Sequence, residues 1–257
     1  MKRVVLNYLV FAAIAISAVC TSCNKEVQLL ETVTYRDGTY EYYDMYEYDN
    51  QNRITKWSRY EKDGKPIRLE TISYSGNDFI KVEFETPEIE MNTIIEFTKS
   101  ANKIIVKTNN IMNNHDDIGT ATWYLNNDGL PIKYEIMQKD FMGEVSYYVA
   151  TFQIQDGNVM SFLSKSTRKG TTNENSHEFK YDHKKSPLYN CKTQKWWLIC
   201  KYYDGFQNNV TEYSLNNELK AEYMYEYDSF GFPIKSTKIS DDKKIVINYK
   251  YIKRKSV

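Results

Sequence analysis

The sequence predicts an all-β chain: a large antiparallel up-and-down meander of about 14–16 strands, its sheet strongly curved or closed. Three observations carry this. Turn signals rich in Asp, Asn and Gly recur at a spacing of about 13 residues, so each interval holds one strand and its turn. The segments between them alternate with period two. Helix-period stretches with caps are nearly absent, so neighbours are antiparallel and joined by short turns. Composition agrees: 23 Tyr stand against 10 Gly and 5 Pro, a balance that favours strands over disorder.

Residues 1–22 read as an address. Met1-Lys2-Arg3 is basic, and Val4 to Val19 is apolar apart from Asn7, Tyr8 and Ser17. Small residues follow in Ala18-Val19-Cys20-Thr21-Ser22-Cys23, which completes the layout of a secretory signal. The apolar run is near the lower limit for a spanning helix and no basic stop-transfer cluster follows. The segment resembles the lipobox of bacterial lipoproteins. Ser22 and Thr21 are the small residues before Cys23, while Cys20 stands where the usual pattern has Leu. The resemblance implies a lipid on Cys23, removal of residues 1–22, and a membrane anchor that does not span. Ser22-Cys23-Asn24-Lys25-Glu26 is similar to the processed start of lipoproteins from the Bacteroides group. That implies an envelope address at the outer membrane, on the periplasmic side or the surface. Residues 23–32 are expected to form a tether.

Residues 33–257 are expected to form one β-meander domain. Its turns begin at Asp37-Gly38, Asp49-Asn50 and Asp63-Gly64, and continue through Asp128-Gly129 and Asp156-Gly157 to Asn216-Asn217 and Asp241-Asp242. Asn, Asp and Gly tolerate the positive φ that tight hairpin turns require. Tyr46-Glu47-Tyr48 puts both rings on one face. Near the C-terminus, Ile245, Ile247, Tyr249 and Tyr251 share a face, with Asn248 and Lys250 on the other.

The turn motifs resemble one another. Tyr46-Glu-Tyr-Asp49 with Arg53-Ile54 returns as Tyr225-Glu-Tyr-Asp228 with Pro233-Ile234-Lys235. Asn127-Asp128-Gly129-Leu-Pro131-Ile132 and Asp63-Gly64-Lys-Pro66-Ile67 are shorter copies. The pattern looks like the Tyr-Asp hairpin repeat of the large rearrangement-hotspot cage proteins. It resembles more closely a group of Bacteroides lipoproteins, the domain of unknown function 4595 family, on the lipobox, the Tyr-x-Tyr-Asp turn, Tyr181-Asp182 through Ser186-Pro187-Leu188, and Asn208-Asn209-Val210. The resemblance implies a porin-like fold and no particular activity.

A closed porin-like barrel of this size leaves an interior that side chains struggle to fill. Outward candidates such as Glu47, Lys81, Glu83, Glu135 and Lys250 are charged, unlike the apolar band of a lipid-spanning barrel. A soluble, not membrane-spanning, barrel or curved meander is therefore expected.

One interval breaks the cadence, an irregular insert at about 186–208. It holds Cys191, Trp196, Trp197, Cys200, Tyr202 and Tyr203. It reads as a plug or short helix capping the sheet or barrel mouth, its rings filling core space. The sharper reading makes Trp196, Trp197, Tyr202 and Tyr203 a stacking platform for a ligand such as a sugar. Cys191 and Cys200 form a possible disulfide in an oxidising compartment. A continuous helix between them would place them about 13 Å apart, beyond disulfide reach, so helix and bridge exclude each other.

Charge and motifs narrow the function. Lys plus Arg and Asp plus Glu are each 34. Loss of residues 1–22 removes only Lys2 and Arg3, leaving the chain near neutral. No nucleic-acid partner is expected without a basic excess. There is no nucleophile elbow, phosphate-cradling loop or dinucleotide fingerprint. His115, His177 and His183 make no zinc pattern, and His115-Asp116-Asp117 reads as a solvated loop. No enzymatic activity, no metal and no cofactor are expected. The expectation is a membrane-anchored, non-enzymatic ligand-binding lipoprotein, with polysaccharide as the leading ligand class. The alternative is an assembly lipoprotein that binds another envelope protein along a free sheet edge.

Overall fold

The computed structural model describes residues 26–112, 115–139, 144–202, 207–241 and 243–256. The signal segment, Cys23 and Tyr203 lie outside the described residues. Sixteen strands form a single closed barrel in chain order. They are β1 (Glu26–Asp37), β2 (Tyr40–Tyr48), β3 (Ile54–Glu61), β4 (Pro66–Ser75), β5 (Asp78–Thr86) and β6 (Met91–Ser100). Then come β7 (Lys103–Met112), β8 (His115–Leu125), β9 (Pro131–Lys139), β10 (Val145–Gln155) and β11 (Asn158–Arg168). The last are β12 (Thr171–Lys185), β13 (Asn208–Leu215), β14 (Glu218–Tyr227), β15 (Pro233–Ser240) and β16 (Lys243–Lys255). The chain enters a helix, α1 (Lys195–Tyr202), between β12 and β13. No helix among the described residues is long and apolar enough to cross a membrane.

β1 pairs antiparallel with β16, and Val33 opposite Tyr249 belongs to the seam that closes the sheet. Closure leaves no free edge among the described strands. β1 also starts at Glu26, inside the stretch expected to be tether. Leu29 and Leu30 are 1% and 2% exposed, and burying them against β16 is what draws this segment into the sheet.

The turns explain the cadence. Asp49, Asn126 and Asp228 each open the same loop. The side-chain oxygen of each accepts the backbone N–H groups two and four residues on. The backbone of each also bonds the residue four positions on. The fourth position of these loops is Asn52, Gly129 or Gly231, with φ of 62°, 74° and 81°, a conformation that Gly and Asn tolerate.

At the end of the barrel where these loops lie, seven odd-numbered strands carry one extra residue. These bulges fall at Glu31, Thr55, Ile80 and Ile132, then at Met160, Thr211 and Ile234. Bulges bend strands and raise local twist, which helps so long a meander to close. In five cases the carbonyl just before the extra residue accepts a tyrosine hydroxyl from the next strand. Tyr48 donates to Leu30, Tyr74 to Ile54, Tyr181 to Val159, Tyr225 to Val210 and Tyr251 to Pro233, at 2.6–2.9 Å. Strand registers thus become fixed by side chains as well as by the ladder.

Residues 185–202, with Gln207 and Asn208, lie across this same end and plug it. Asn190 donates to the Gln28 carbonyl, and the Lys192 amide donates to the Asn52 carbonyl, at 2.9 and 3.0 Å. Thr193 Oγ1 accepts the Ile54 amide at 2.8 Å. Asn158 Oδ1 accepts the amides of Gln207 and Asn208 as the chain returns. Leu198 and Ile199 of α1 are 3% and 1% exposed. The plug and the rings of β5–β10 make the core of one half of the barrel. The other half stays hollow.

Candidate functional site: a tyrosine-lined lumen

The hollow is a cavity of about 600 Å³, within the range of small-molecule sites. Pro187, Leu188 and Leu198 of the plug form its floor. Tyr35, Tyr42, Tyr46 and Tyr249, on the neighbouring strands β1, β2 and β16, line one side, and Tyr148, Tyr213, Tyr223 and Tyr225, on β10, β13 and β14, line the other. Period-two alternation places them there: Tyr42, Asp44, Tyr46 and Tyr48 all point inward on β2. The lining runs out to Lys238 and Ile245, each two residues from the β15–β16 turn at the unplugged end. A larger hollow of about 1050 Å³ lies among the loops around the plug, with polar Asn52, Asn126 and Lys192 on its walls.

The tyrosine rings are arranged in contact. Tyr35 and Tyr42 stack with centroids 4.5 Å apart and planes at 13°. Burial pushes the Tyr35 hydroxyl well above its usual value, with further upward pushes from Tyr46 and Asp44. Burial also raises Tyr42 and Tyr213. Neutral hydroxyls therefore line the cavity, able to donate and accept hydrogen bonds.

His177 is the imidazole on this wall. Its Nδ1 lies 3.0 Å from the Tyr213 hydroxyl and its Nε2 3.3 Å from Ser164 Oγ. Its ring stacks on Phe162 at 3.9 Å. Burial lowers its pKa below 6.5, so at neutral pH one ring nitrogen donates and the other accepts. No sequence motif marks this trio, because its members come from three strands, β11, β12 and β13.

A charged group on β2 to β4 lies beside the cavity, behind the lining rings of Tyr35 and Tyr42. Arg59 donates through Nε and Nη2 to the two oxygens of Asp44 at 2.7 and 3.0 Å. Arg68 pairs with Glu70 at 3.0 Å. Asp44 and Glu70 are 1% and 0% exposed. Two hydrogen bonds from Arg59 to Asp44, and the ion pair of Glu70 with Arg68, offset the cost of burying charge. Asp44 repeats in phase with Tyr42 and Tyr46, and that shared face was the available signal.

The sequence-predicted residues separate. Trp196 is 3% exposed and packs on Phe79, Phe97 and Trp123. Trp197 is half-buried, with its plane at 73° to that of Trp196. The two rings form part of the plug's core and present no shared flat face to the lumen. Tyr202 ends α1, and its side chain and that of Cys200 lie outside the described residues. Cys191 has a free thiol buried at the start of the plug, and burial raises its pKa. The side chains of His115, Asp116 and Asp117 lie outside the described residues too. Among the described residues no cluster of three or more His, Cys, Asp or Glu could hold a metal ion.

No family model and no curated protein matches the chain. Solved structures are similar. One is a porin-like protein from Bacteroides vulgatus, at 11% identity and a TM-score of 0.51, covering 88% of this chain and 99% of that one. Another is a porin-like protein from Bacteroides uniformis, at 10% identity and a TM-score of 0.37, covering 87% and 98%. The first likeness is one of fold: a porin-like barrel.

Proposed function

We propose that this chain is a non-catalytic binding protein of the bacterial envelope, and that its lumen takes a small, ring-bearing neutral ligand, with saccharides as the leading class. The plugged lumen with its tyrosine walls carries the reading. Flat rings bearing neutral hydroxyls suit a molecule with apolar ring faces and hydroxyl edges. The plug makes the cavity a cup with one mouth rather than a through channel. The outer face supports a barrel kept out of the bilayer core. Pairs such as Lys180–Glu212, Lys235–Glu226 and Lys250–Glu31 lie along it, where a spanning barrel carries an apolar band.

A lipid on Cys23 would sit three residues from Glu26, at the plugged end. Three extended residues reach only about 10 Å. The plug would then face the membrane and the open mouth the aqueous side, where ligand arrives. The test is thermal unfolding of the purified protein against a panel of neutral oligosaccharides. A ligand that binds the native state raises the midpoint by mass action. The reading expects a rise with at least one glycan, lost when Tyr223 is changed to Ala. Absence of any rise across the panel, or a rise untouched by that change, would count against it.

A further inference from the structure

We infer that Arg59 and Arg68 form a carboxylate-binding subsite beside the lumen, so that the site takes acidic as well as neutral ring-bearing ligands, the ring resting on the tyrosines and the carboxylate on the arginines. The inference rests on the lumen being a ligand site, and it adds the chemical class of one ligand group. Arg59 and Arg68 are direct cross-strand partners on β3 and β4. Like charges so placed repel, and the surroundings compensate. Asp44 holds Arg59 by two hydrogen bonds and Glu70 holds Arg68 by one ion pair. Trp57 takes both cations, at 5.2 Å from Arg59 and 5.7 Å from Arg68. Tyr42 stacks on Arg59 and Phe84 on Arg68, each at 4.6 Å. The result is a ladder of ring, cation, ring, cation, ring. Its guanidiniums are held in place before any ligand arrives, which lowers the ordering cost of binding.

The buried carboxylates use only part of each fork. Asp44 engages Nε and Nη2 of Arg59, and Glu70 engages Nε of Arg68. Nη1 of Arg59 and the terminal nitrogens of Arg68 keep donors to offer, and the two side chains remain 33% and 46% exposed. A planar carboxylate matches such donors. Two cations and two carboxylates sum to zero, so the subsite suits a single negative charge better than a polyanion. Its position links it to the cavity, because Arg59 lies over Tyr42 and 5.6 Å from the Tyr35 ring, both of which line the lumen.

Glucuronate and benzoate, compared with glucose and with sodium chloride at equal ionic strength, are the probes for a thermal-unfolding titration. Two paired variants accompany the wild type, Arg59→Gln with Asp44→Asn and Arg68→Gln with Glu70→Gln. Each removes a cation together with its counter-ion, so no buried charge is orphaned. At least one acid should raise the midpoint beyond the salt control, and both paired variants should weaken its apparent affinity tenfold or more. Arg68→Lys keeps the charge and loses the planar fork, so it should also weaken binding; it serves if a paired variant fails to fold. No rise with either acid overturns the subsite, as does a rise unchanged in the variants. A rise with acids that depends on the arginines, alongside silence from every neutral glycan, keeps the subsite and rejects the neutral-saccharide reading of the lumen.

Discussion

The Tyr48 hydroxyl donates to the Leu30 carbonyl at 2.7 Å, just before the extra residue of the β1 bulge. Tyr48 is itself the cross-strand partner of Ile54, whose carbonyl precedes the next bulge and accepts Tyr74. Tyr48, Tyr74, Tyr181 and Tyr251 thus each secure the bulge behind them and pair with the residue before the one ahead, whereas Tyr225 pairs with Ser236. Changing Tyr48 or Tyr181 to Phe leaves a carbonyl without this donor and should cost about 1–3 kcal/mol each. The two sites lie on well-separated strands, so their costs should add. Tyr60→Phe, on the outer face, should stay within about 0.5 kcal/mol. Urea unfolding measures all three.

The plug is held by packing and by backbone bonds. Trp196→Ala should destabilise by about 3–5 kcal/mol, the usual cost of emptying a large buried ring site. Thr193→Val removes the acceptor for the Ile54 amide and should cost about 1–3 kcal/mol. Denaturant melts of both variants, with circular dichroism to check the sheet, test these values.

The loop geometry makes a separate prediction. Gly231 has a φ of 81° with no atom closer than 3.8 Å to an added Cβ. Gly231→Ala should therefore cost about 1–2 kcal/mol through backbone strain alone. Gly231→Asn should cost less, since Asn52 serves the corresponding position of the β2–β3 loop at a φ of 62°. Thermal midpoints rank the two.

Stability should fall at both ends of the pH scale. Burial lowers the pKa of His177 below 6.5, so the unfolded chain binds a proton that the folded chain resists. Stability from this group is present above about pH 6.5 and is lost as pH falls below it. His177→Gln should flatten that part of the profile. Burial raises Tyr35 and Tyr48 well above 10.0. Above that pH the unfolded chain ionises first, so stability falls as pH rises. Midpoints measured across pH, with tyrosinate absorbance followed in parallel, check both limbs.

The turn loops made most of the fold legible. Asp49, Asn126 and Asp228 advertise their hairpins because the same side chain that caps the loop is visible in sequence. Closure cannot be read from the sequence, since nothing local marks Val33 as the partner of Tyr249 more than 200 positions away. The start of β1 is hard to read from sequence because the alternation of Glu26-Val27-Gln28-Leu29 is brief and loses its phase at Leu30 and the Glu31 bulge; pairing with β16 supplies the reason for its order. The lumen was legible only as an excess of tyrosine. Which tyrosines share it depends on strands from both ends of the chain meeting across the seam. The aromatic pair Trp196-Trp197 drew notice by size, yet its register on α1 turns Trp196 toward Phe79 and Phe97.

The most direct test of the lumen as a ligand site is equilibrium titration of the glycan giving the largest thermal shift. It compares wild type with Tyr148→Ala/Tyr223→Ala, two changes in the cavity wall that leave the plug and the bulge clamps intact. Removing two stacking rings should weaken binding by at least about tenfold while the fold persists. Unchanged affinity in the double variant would place the ligand elsewhere and contradict the account.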